Sequence, residues 1–327
     1  MTVYYRYAII SGFLGQLKDR FRMYQEPRDL EARLELARRV PGVSGMELVY
    51  PYDFVDPEKT RSLLEKYNLQ VGAVNVDIKG ERYWDRRALT SWDKDTRKKA
   101  VEYLENGARF AREFGSYLVT VCPLQDGYDY HFEVAYDKAW QYFLEGVAEV
   151  ARANPDVRLS LEYKFREPLA HYFLGNVYSA LYVCLKLGLD NVGVTLDVGH
   201  ALFAGENPAE SLVLLHREGK LFHVHINDND GKWDWDLVAG SRNLFPYLEF
   251  LYYLRKVGYQ GWISLDVTPK HRDPVRAFTR SIAFTEKLLD FVESLDDAFI
   301  AKAIDEDDPG KVLELLYERF TGQGDER

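Results

Sequence analysis

Short apolar runs alternate with amphipathic segments along most of the chain. The apolar or β-branched runs indicate buried strands, and each is followed by a segment whose apolar residues recur at helical spacing. The predicted strands cover residues 3–10, 42–49, 69–76, 116–123, 158–163, 191–197, 220–227 and 261–266. The predicted helices cover residues 29–40, 56–68, 93–115, 135–154, 176–188, 207–219, 245–258 and 273–295.

Strands that alternate in this way with helices are typical of an α/β fold, the (β/α)8 TIM barrel, in which a parallel sheet closes on itself. We therefore predict one barrel domain over residues 1–295. Residues 296–327 are predicted to form a short C-terminal helical extension, with an acidic turn at 304–310 and an amphipathic helix at 311–320. This extension could cover the barrel or pack against another subunit, which leaves a homo-oligomer open.

Four consecutive predicted strands, the fifth to the eighth, end in a carboxylate or an imidazole: Glu162, Asp197, His225 and Asp266. Barrel enzymes carry their chemistry at the C-terminal ends of the strands, and neighbouring strands lie about 4.8 Å apart, so these side chains can converge. Three carboxylates gathered at one point would repel each other unless a cation neutralised them. Oxygen ligands with one imidazole suit Mn, Mg, Co or Zn.

A second group of possible ligands lies beside the first. His200 follows Asp197 by three residues, and Asp234 and Asp236 alternate in the loop after the seventh strand. With Asp197 shared, these residues predict a second cation site, and two adjacent cations can bind vicinal oxygens and polarise a carbonyl group. The five carboxylates exceed the charge of two divalent ions by one, which Lys164 could offset.

These residues also have ordinary structural explanations. A carboxylate after a strand commonly caps the next helix or lies in solvent, and Asp234 with Asp236 could form a solvated acidic loop. Of the two histidines in the seventh strand, we assign His225 to the metal site. His223 is assigned to the opposite face of the strand, as a core residue against the helices. The succession of four matched strand ends favours the metal site.

Composition narrows the range of partners. The formal net charge is −10, which disfavours a nucleic acid, because such binding depends on Lys and Arg neutralising phosphates. No apolar run approaches the roughly 18 residues of a membrane span, and the first residues do not have the pattern of a signal peptide. The two cysteines, Cys122 and Cys184, fit a reduced, cytoplasmic setting.

Residues 161–269 resemble the metal-binding half of D-xylose isomerase and its relatives in the xylose-isomerase-like barrel superfamily. The family pattern E-x-K-x-x-E-P occurs as Glu162, Lys164, Glu167 and Pro168. The pattern acidic-V-G-H occurs at 197–200, K-L-F-H-x-x-x-N at 220–227, D-x-D-L at 234–237 and D-x-x-P at 266–269. The order and spacing of these motifs hold over about a third of the chain, which makes the resemblance specific.

The chain departs from xylose isomerases at three points. Those enzymes carry Glu where Asp197 stands and Asp where His225 stands. A set of Glu, Asp, His and Asp, with a further His and two Asp at the second site, is instead similar to that of L-rhamnose isomerase and its broad-specificity relatives. Xylose isomerases also have a histidine after an early strand that is linked to sugar ring opening. This chain has no histidine before His131, and Asn75 and Asp77 lie where such a group would be expected.

The resemblance implies aldose–ketose isomerisation with two divalent cations per chain. Lys164 would donate a hydrogen bond to the carbonyl oxygen as negative charge builds there, and His200 and Asp236 would act through the second cation. Contacts to the sugar are expected from Trp233, Trp235, Asn75, Asp77 and Glu167, with Trp84, His131 and Phe165 as weaker candidates. His171, His216 and His271 are taken as structural or surface residues.

Three other functions are considered. A ketose 3-epimerase of the same superfamily would use one metal and two glutamates, whereas here the eighth strand ends in Asp266 and the pair at 234 and 236 would be unused. A nuclease of the endonuclease IV type would need early histidines for a three-zinc cluster. A non-catalytic protein that binds a sugar acid at its metal is the third. The number of possible ligands favours the isomerase.

Overall fold

The computed structural model describes residues 5–270 and 273–322. Eight parallel strands form a closed barrel in which the order of the strands follows the order of the chain. The strands are β1 (Arg6–Ile10), β2 (Val43–Tyr50), β3 (Gln70–Val76), β4 (Leu118–Val121), β5 (Arg158–Glu162), β6 (Val192–Asp197), β7 (Leu221–Ile226) and β8 (Trp262–Leu265). β1 pairs with both β2 and β8, which closes the sheet and confirms the predicted (β/α)8 TIM barrel.

The helices surround this barrel. They are α1 (Leu30–Arg38), α2 (Pro57–Tyr67), α3 (Lys94–Glu113), α4 (Tyr136–Ala153), α5 (Val177–Leu187), α6 (Val198–Phe203), α7 (Pro208–Arg217), α8 (Leu244–Lys256), α9 (Pro274–Glu293), α10 (Asp297–Asp305) and α11 (Pro309–Thr321). Several begin where an aspartate side chain accepts a backbone N–H, as Asp29, Asp56 and Asp93 do. The sequence pattern predicted neither α6 nor α10, and residues 3 and 4 of the first predicted strand lie outside the described residues.

The main apolar core lies between the sheet and the helices, where Phe143, Phe250 and Phe278 are fully buried. The inside of the barrel is more polar. Ser160 and Thr195 share a hydrogen bond of 2.6 Å there, and both side chains are buried. The barrel therefore encloses polar side chains along part of its length, and these side chains need partners from other strands.

The C-terminal extension packs against the outer helices. Asp296 caps α10, which buries Ile300 and Ala303, and an ion pair joins Arg255 of α8 to Asp297. The ring of Phe320 in α11 stacks on Phe291 of α9 with centroids 4.5 Å apart. The extension thus covers part of the outer surface of the barrel. Its contact with another subunit stays a prediction, and so does the domain boundary at residue 295. Within the described part of the chain, no helix combines the length and the apolar composition needed to cross a bilayer.

One close approach gives a test of the packing. A Cβ atom added at Gly107 in α3 would lie 2.3 Å from Cγ2 of Val76 in β3, so Gly107→Ala should push the helix away from the sheet. A contact this short indicates the upper part of the range for overpacking a core, about 2–3 kcal/mol, and the helix gains about 1 kcal/mol from alanine, so the free energy of unfolding should fall by about 1–2 kcal/mol. Urea denaturation measures this change. The exposed control Lys98→Ala on the same helix should stay within about 0.5 kcal/mol, and an equal loss in both variants would contradict the packing argument.

Candidate metal centre

The four predicted strand-end residues converge at the C-terminal end of the barrel. One ligand atom each from Glu162, Asp197, His225 and Asp266 lies within 4.8 Å of the others, and all four side chains are buried. Nδ1 of His225 lies 3.4 Å from Glu162 Oε1, 3.7 Å from Asp266 Oδ2 and 3.8 Å from Asp197 Oδ2. The parallel register places Asp197 directly opposite His225 on the neighbouring strand, which explains part of this convergence.

Glu47 in β2, which the sequence pattern did not identify, orients His225. Its fully buried carboxylate lies 3.1 Å from Nε2 of both His225 and His223 and accepts hydrogen bonds from Asn75 Nδ2 at 3.2 Å and Thr120 Oγ1 at 2.5 Å. Burial alone would raise the pKa of Glu47, but His225 and His223 hold it well below its usual range. Since Nε2 of His225 donates to this carboxylate, Nδ1 is left to face the three other carboxylates.

This arrangement has the chemistry of a divalent-cation site. Nδ1 of His225 has no hydrogen-bond partner within the described part of the chain and faces three buried carboxylates, which repel each other unless a positive charge lies between them. Burial, followed by the negative charges of Asp236 and Asp197, raises the pKa of Asp266 well above its usual range, and burial raises the pKa of Asp197 to about 6. A metal-ligating histidine commonly donates its other N–H to a carboxylate, as His225 does to Glu47. The residues present fit such an ion.

Asp197 is itself held in place by its neighbours. One oxygen accepts the backbone N–H of His200 at 2.7 Å, and this contact caps the N-terminus of α6. The other oxygen accepts a hydrogen bond from Asn227 Nδ2 at 3.0 Å. A Cβ atom at Gly199 would lie 1.7 Å from Oδ1 of Asn227, so only glycine leaves room for this amide. The motif residues Gly199 and Asn227 therefore serve to fix the orientation of the Asp197 carboxylate.

The second predicted ligand set is only partly assembled. Nε2 of His200 lies 3.0 Å from Asp234 Oδ2, while Nδ1 lies 3.2 Å from Glu162 Oε1 and 3.9 Å from Asp197 Oδ1. Asp236 instead accepts a hydrogen bond of 2.7 Å from Thr268. Among the described residues, no group of ligand atoms as close as the first set contains Asp236. The second set therefore lies beside the first, with His200 in contact with Asp234 but with Asp236 hydrogen-bonded to Thr268.

Lys164 lies between the two loops that follow β5 and β7. Its Nζ is 3.0 Å from Asp234 Oδ2 and 3.3 Å from Glu167 Oε2, and its side chain is only 10% exposed. Burial alone would lower the pKa of Lys164, but the carboxylates of Asp234 and Glu167 raise it well above its usual range. Lys164 is therefore a positioned cation at neutral pH.

A cavity of about 400 Å³ lies at the mouth of the barrel. Its wall includes the candidate ligands and their neighbours Glu162, Lys164, His200, Asp234, Asp236 and Asp266, together with Asn75 and Asp77. Lys79 and Cys122, which the sequence pattern did not identify, also lie on its wall. Lys79 makes no side-chain ion pair or hydrogen bond with the described residues, and Asp77 accepts its backbone N–H at 2.9 Å. Burial raises the pKa of Cys122 to about 12, so its thiol stays protonated at neutral pH.

The aromatic candidates lie away from this wall. Trp233 and Trp235 are 45% and 39% exposed in the loop after β7, and the Trp235 indole donates to Asp230 at 2.9 Å. Trp84 is fully buried in the apolar core against Tyr103, so its prediction as a sugar contact is wrong. The other weak candidates and the histidines taken as structural lie as follows: Phe165 is partly exposed against Phe203, His131 is exposed, His171 stacks on Tyr128, His216 lies in α7, and His271 is outside the described residues.

The assignment of His223 to the helix-facing layer is wrong. Residues two positions apart in a strand point to the same face, so His223 and His225 both point into the barrel. Nε2 of His223 lies 3.1 Å from Glu47 Oε2 and 3.0 Å from Ser264 Oγ. His223 is buried, but among polar groups of the barrel interior rather than apolar groups of the helix layer.

Comparisons with known proteins place the chain in a family. Among curated proteins, an uncharacterized protein of Methanocaldococcus jannaschii is 30% identical over 191 residues, 57% of this chain and 62% of that protein. The xylose isomerase of Thermus thermophilus is 27% identical over 223 residues, 65% of this chain and 55% of that enzyme. The matched segments thus span less than two thirds of the length of either relative.

A solved structure of a D-tagatose 3-epimerase-like protein superposes with a TM-score of 0.67, over 88% of this chain and 98% of that one. Its sequence identity is 22%, so this likeness shows the fold alone. The family model described as xylose isomerase-like TIM barrel matches residues 34–288, which include every strand except β1 and all four converging residues. The chain belongs to the xylose isomerase-like TIM barrel family.

Proposed function

We propose that this chain is a divalent-metal-dependent sugar isomerase that interconverts an aldose and a ketose. The observation that carries the proposal is the presence of His200, Asp234 and Asp236 on the wall of the cavity that also exposes Glu162 and Asp266. One cation needs only the first ligand set, whereas these three residues supply a second set beside it. The identity to the Thermus thermophilus xylose isomerase supports the same assignment.

In this proposal Glu162, Asp197, His225 and Asp266 hold one ion, and Asp197, His200, Asp234 and Asp236 hold the other. Mn, Co, Mg or Zn would suit these ligands, and the bound ions supply Lewis acidity toward the oxygens at C1 and C2 of the open-chain sugar. In the aldose-to-ketose direction a hydride would move from C2 to C1 while a proton moves from the oxygen on C2 to the oxygen on C1, and the reverse reaction returns both.

The chain's own residues would orient and stabilise the sugar. Lys164, fixed between Asp234 and Glu167, donates a hydrogen bond to the carbonyl oxygen as negative charge develops there. Lys79 and Asp77 line the same cavity, where Lys79 would offer N–H donors and Asp77 an acceptor to sugar hydroxyl groups. Asn75 acts through Glu47, because its amide is already bonded to that carboxylate. Trp233 and Trp235 would contact the sugar only at the outer rim.

A ketose 3-epimerase is the second candidate function. It is favoured by the loose second ligand set, in which Asp236 is bonded to Thr268, and by the fold shared with the D-tagatose 3-epimerase-like protein. An epimerase would abstract the proton at C3 with a carboxylate and return it on the opposite face. The two reactions change different carbons of the sugar, so they can be separated by product analysis.

The product of the reaction tests the proposal directly. The protein, loaded with Mn or Co, should convert at least one member of a panel of pentoses, hexoses and deoxyhexoses between its aldose and ketose forms. NMR of the products formed in deuterated water locates the carbon that has changed. Inversion at C3 without exchange of the C1 and C2 functional groups would contradict the isomerase and establish the epimerase.

The two ligand sets should respond differently to substitution. Asp197→Asn removes a charge shared by both sets, so it should lose both ions and nearly all turnover. Asp236→Asn and His200→Ala should retain one ion and sugar binding but lose most of the rate. Metal analysis with turnover assays measures these effects, with the exposed Asp190→Asn as control. Wild-type metal content and rate in Asp236→Asn and His200→Ala would refute the second site.

Glu47 should control metal affinity without binding the metal. Glu47→Gln retains the shape of the side chain but removes the charge that holds His225, and loss of such a partner typically weakens metal binding about 10–100-fold. Calorimetric titration with Mn measures the affinity, and circular dichroism checks the fold. The matched control is Glu206→Gln, which alters a half-buried carboxylate bonded to Tyr163, outside the cavity. An unchanged affinity in a folded Glu47→Gln protein would rule out this role.

A further inference from the structure

We propose that the N-terminal end of the barrel contains a second binding site, which takes the phosphate group of a small molecule. A cavity of about 600 Å³ opens at this end, opposite to the candidate metal centre. Its wall carries three guanidinium groups, those of Arg6, Arg61 and Arg158, and a single carboxylate, Glu65. The inference is independent of the sugar isomerase proposal, because it rests on none of the same residues.

The barrel topology brings these arginines together. Arg6 is the first residue of β1 and Arg158 is the first residue of β5. Both residues therefore lie at the N-terminal end of the barrel, where they approach the same opening from opposite sides. Both guanidinium groups are near enough to Tyr259 to lower the pKa of its hydroxyl against the dominant effect of burial. Arg61 reaches the same cavity from α2. Three positive charges thus surround one opening.

None of the three arginines forms an ion pair with a carboxylate among residues 5–270 and 273–322. This differs from Arg33, Arg87 and Arg112, whose guanidinium groups each lie within 2.7 Å of a carboxylate oxygen. Two of the cavity arginines donate hydrogen bonds to backbone carbonyls instead, Arg6 to Gln260 at 3.5 Å and Arg61 to Glu113 at 3.2 Å. In a chain of net charge −10, three arginines that share a cavity and lack such partners are available to an external anion.

Aromatic rings hold these guanidinium groups without using their donors. Cζ lies 4.5 Å from the Trp262 ring for Arg6, 4.6 Å from Phe114 for Arg61 and 5.6 Å from Phe222 for Arg158. A guanidinium packed over a ring keeps its N–H groups free, and its planar fork suits two-point binding of phosphate oxygens. The rings therefore orient the arginines before any ligand arrives.

The inner wall of the cavity also contains neutral polar groups. Asn68, Gln70 and Ser116 line it, and so does His223, whose Nδ1 is buried and has no hydrogen-bond partner among the described residues. The volume of about 600 Å³ exceeds that of an inorganic phosphate ion, so the site has room for the organic part of a phosphorylated metabolite. The ligand class is thus a phosphate ester of a small molecule, with inorganic phosphate as its minimal form.

Calorimetric titration of the full chain tests the proposal. Inorganic phosphate, a hexose phosphate and a nucleoside monophosphate are titrated separately at low ionic strength, with sodium chloride of equal ionic strength as the reference. At least one of the three should bind. Arg158→Glu and Arg6→Glu should each weaken that binding by about tenfold or more, the factor expected from loss of a hydrogen bond to a charged group. Comparison of the three ligands shows whether free phosphate or an ester is preferred.

Two controls make the result decisive. Arg152→Glu makes the same charge change at an exposed position of α4 outside the cavity, and it should bind as the wild type does. Titration in the presence of a chelator separates this site from phosphate bound to metal at the other end of the barrel. Arg158→Gln and Arg6→Gln, checked by urea denaturation, replace any glutamate variant that does not fold. Absence of binding by all three ligands, or an equal loss in Arg152→Glu, overturns the proposal.

Discussion

The carboxylate of Glu47 is the constraint on which the interior of this barrel depends. A charge buried in the middle of a sheet is costly unless donors surround it. Glu47 contacts donors from β3, β4 and β7, namely Asn75, Thr120, His223 and His225. β3 is the neighbour of β2 in the sheet, whereas β4 and β7 are not, so the contacts with Thr120 and the two histidines tie strands that do not pair with β2. The polar interior is therefore part of what fixes the position of the candidate metal ligands.

The candidate metal centre gathers groups that would not stay together on their own. Burial and mutual repulsion raise the pKa values of Asp266 and Asp197, whereas Asn227 and the N-terminus of α6 hold Asp197 in a single orientation. The free energy of folding thus offsets the repulsion among the carboxylates of the first ligand set. The second set is less constrained, because Asp236 and Asp234 have alternative partners in Thr268 and Lys164. If both sets bind ions as proposed, the first ion would therefore be held more tightly than the second.

The alternation of apolar runs and amphipathic segments was sufficient to predict the barrel, because each strand and each major helix carries its own local signal. The strand ends at Glu162, Asp197, His225 and Asp266 could be predicted for the same reason, since parallel strands bring their C-terminal ends to one face. α6 was missed because it is only one and a half turns long and depends on the Asp197 cap rather than on apolar spacing.

Other features depend on long-range contacts that periodicity does not contain. Glu47 appears as a lone charge within the apolar run at 42–49, and this was the available signal of a buried polar partner. Trp84 follows a polar loop, yet tertiary packing against Tyr103 buries it completely. The error at His223 had a different origin: the two-residue period of a strand places it on the same face as His225, and the sequence alone contained that information.

The position of His223 gives the barrel axis a continuous polar path. Its imidazole lies on the wall of the N-terminal cavity and also contacts Glu47, which in turn contacts His225 at the opposite end. The carboxylate of Glu47 thus lies between two imidazoles, one on the wall of the N-terminal cavity and one at the candidate metal centre. If a ligand in the N-terminal cavity changed the contact between His223 and Glu47, it would also change how Glu47 holds His225. By reciprocity of linked equilibria, an ion bound at His225 would then change the affinity for that ligand by the same factor. The two ends of the barrel are in this sense connected through a single shared hydrogen-bond acceptor, the carboxylate of Glu47.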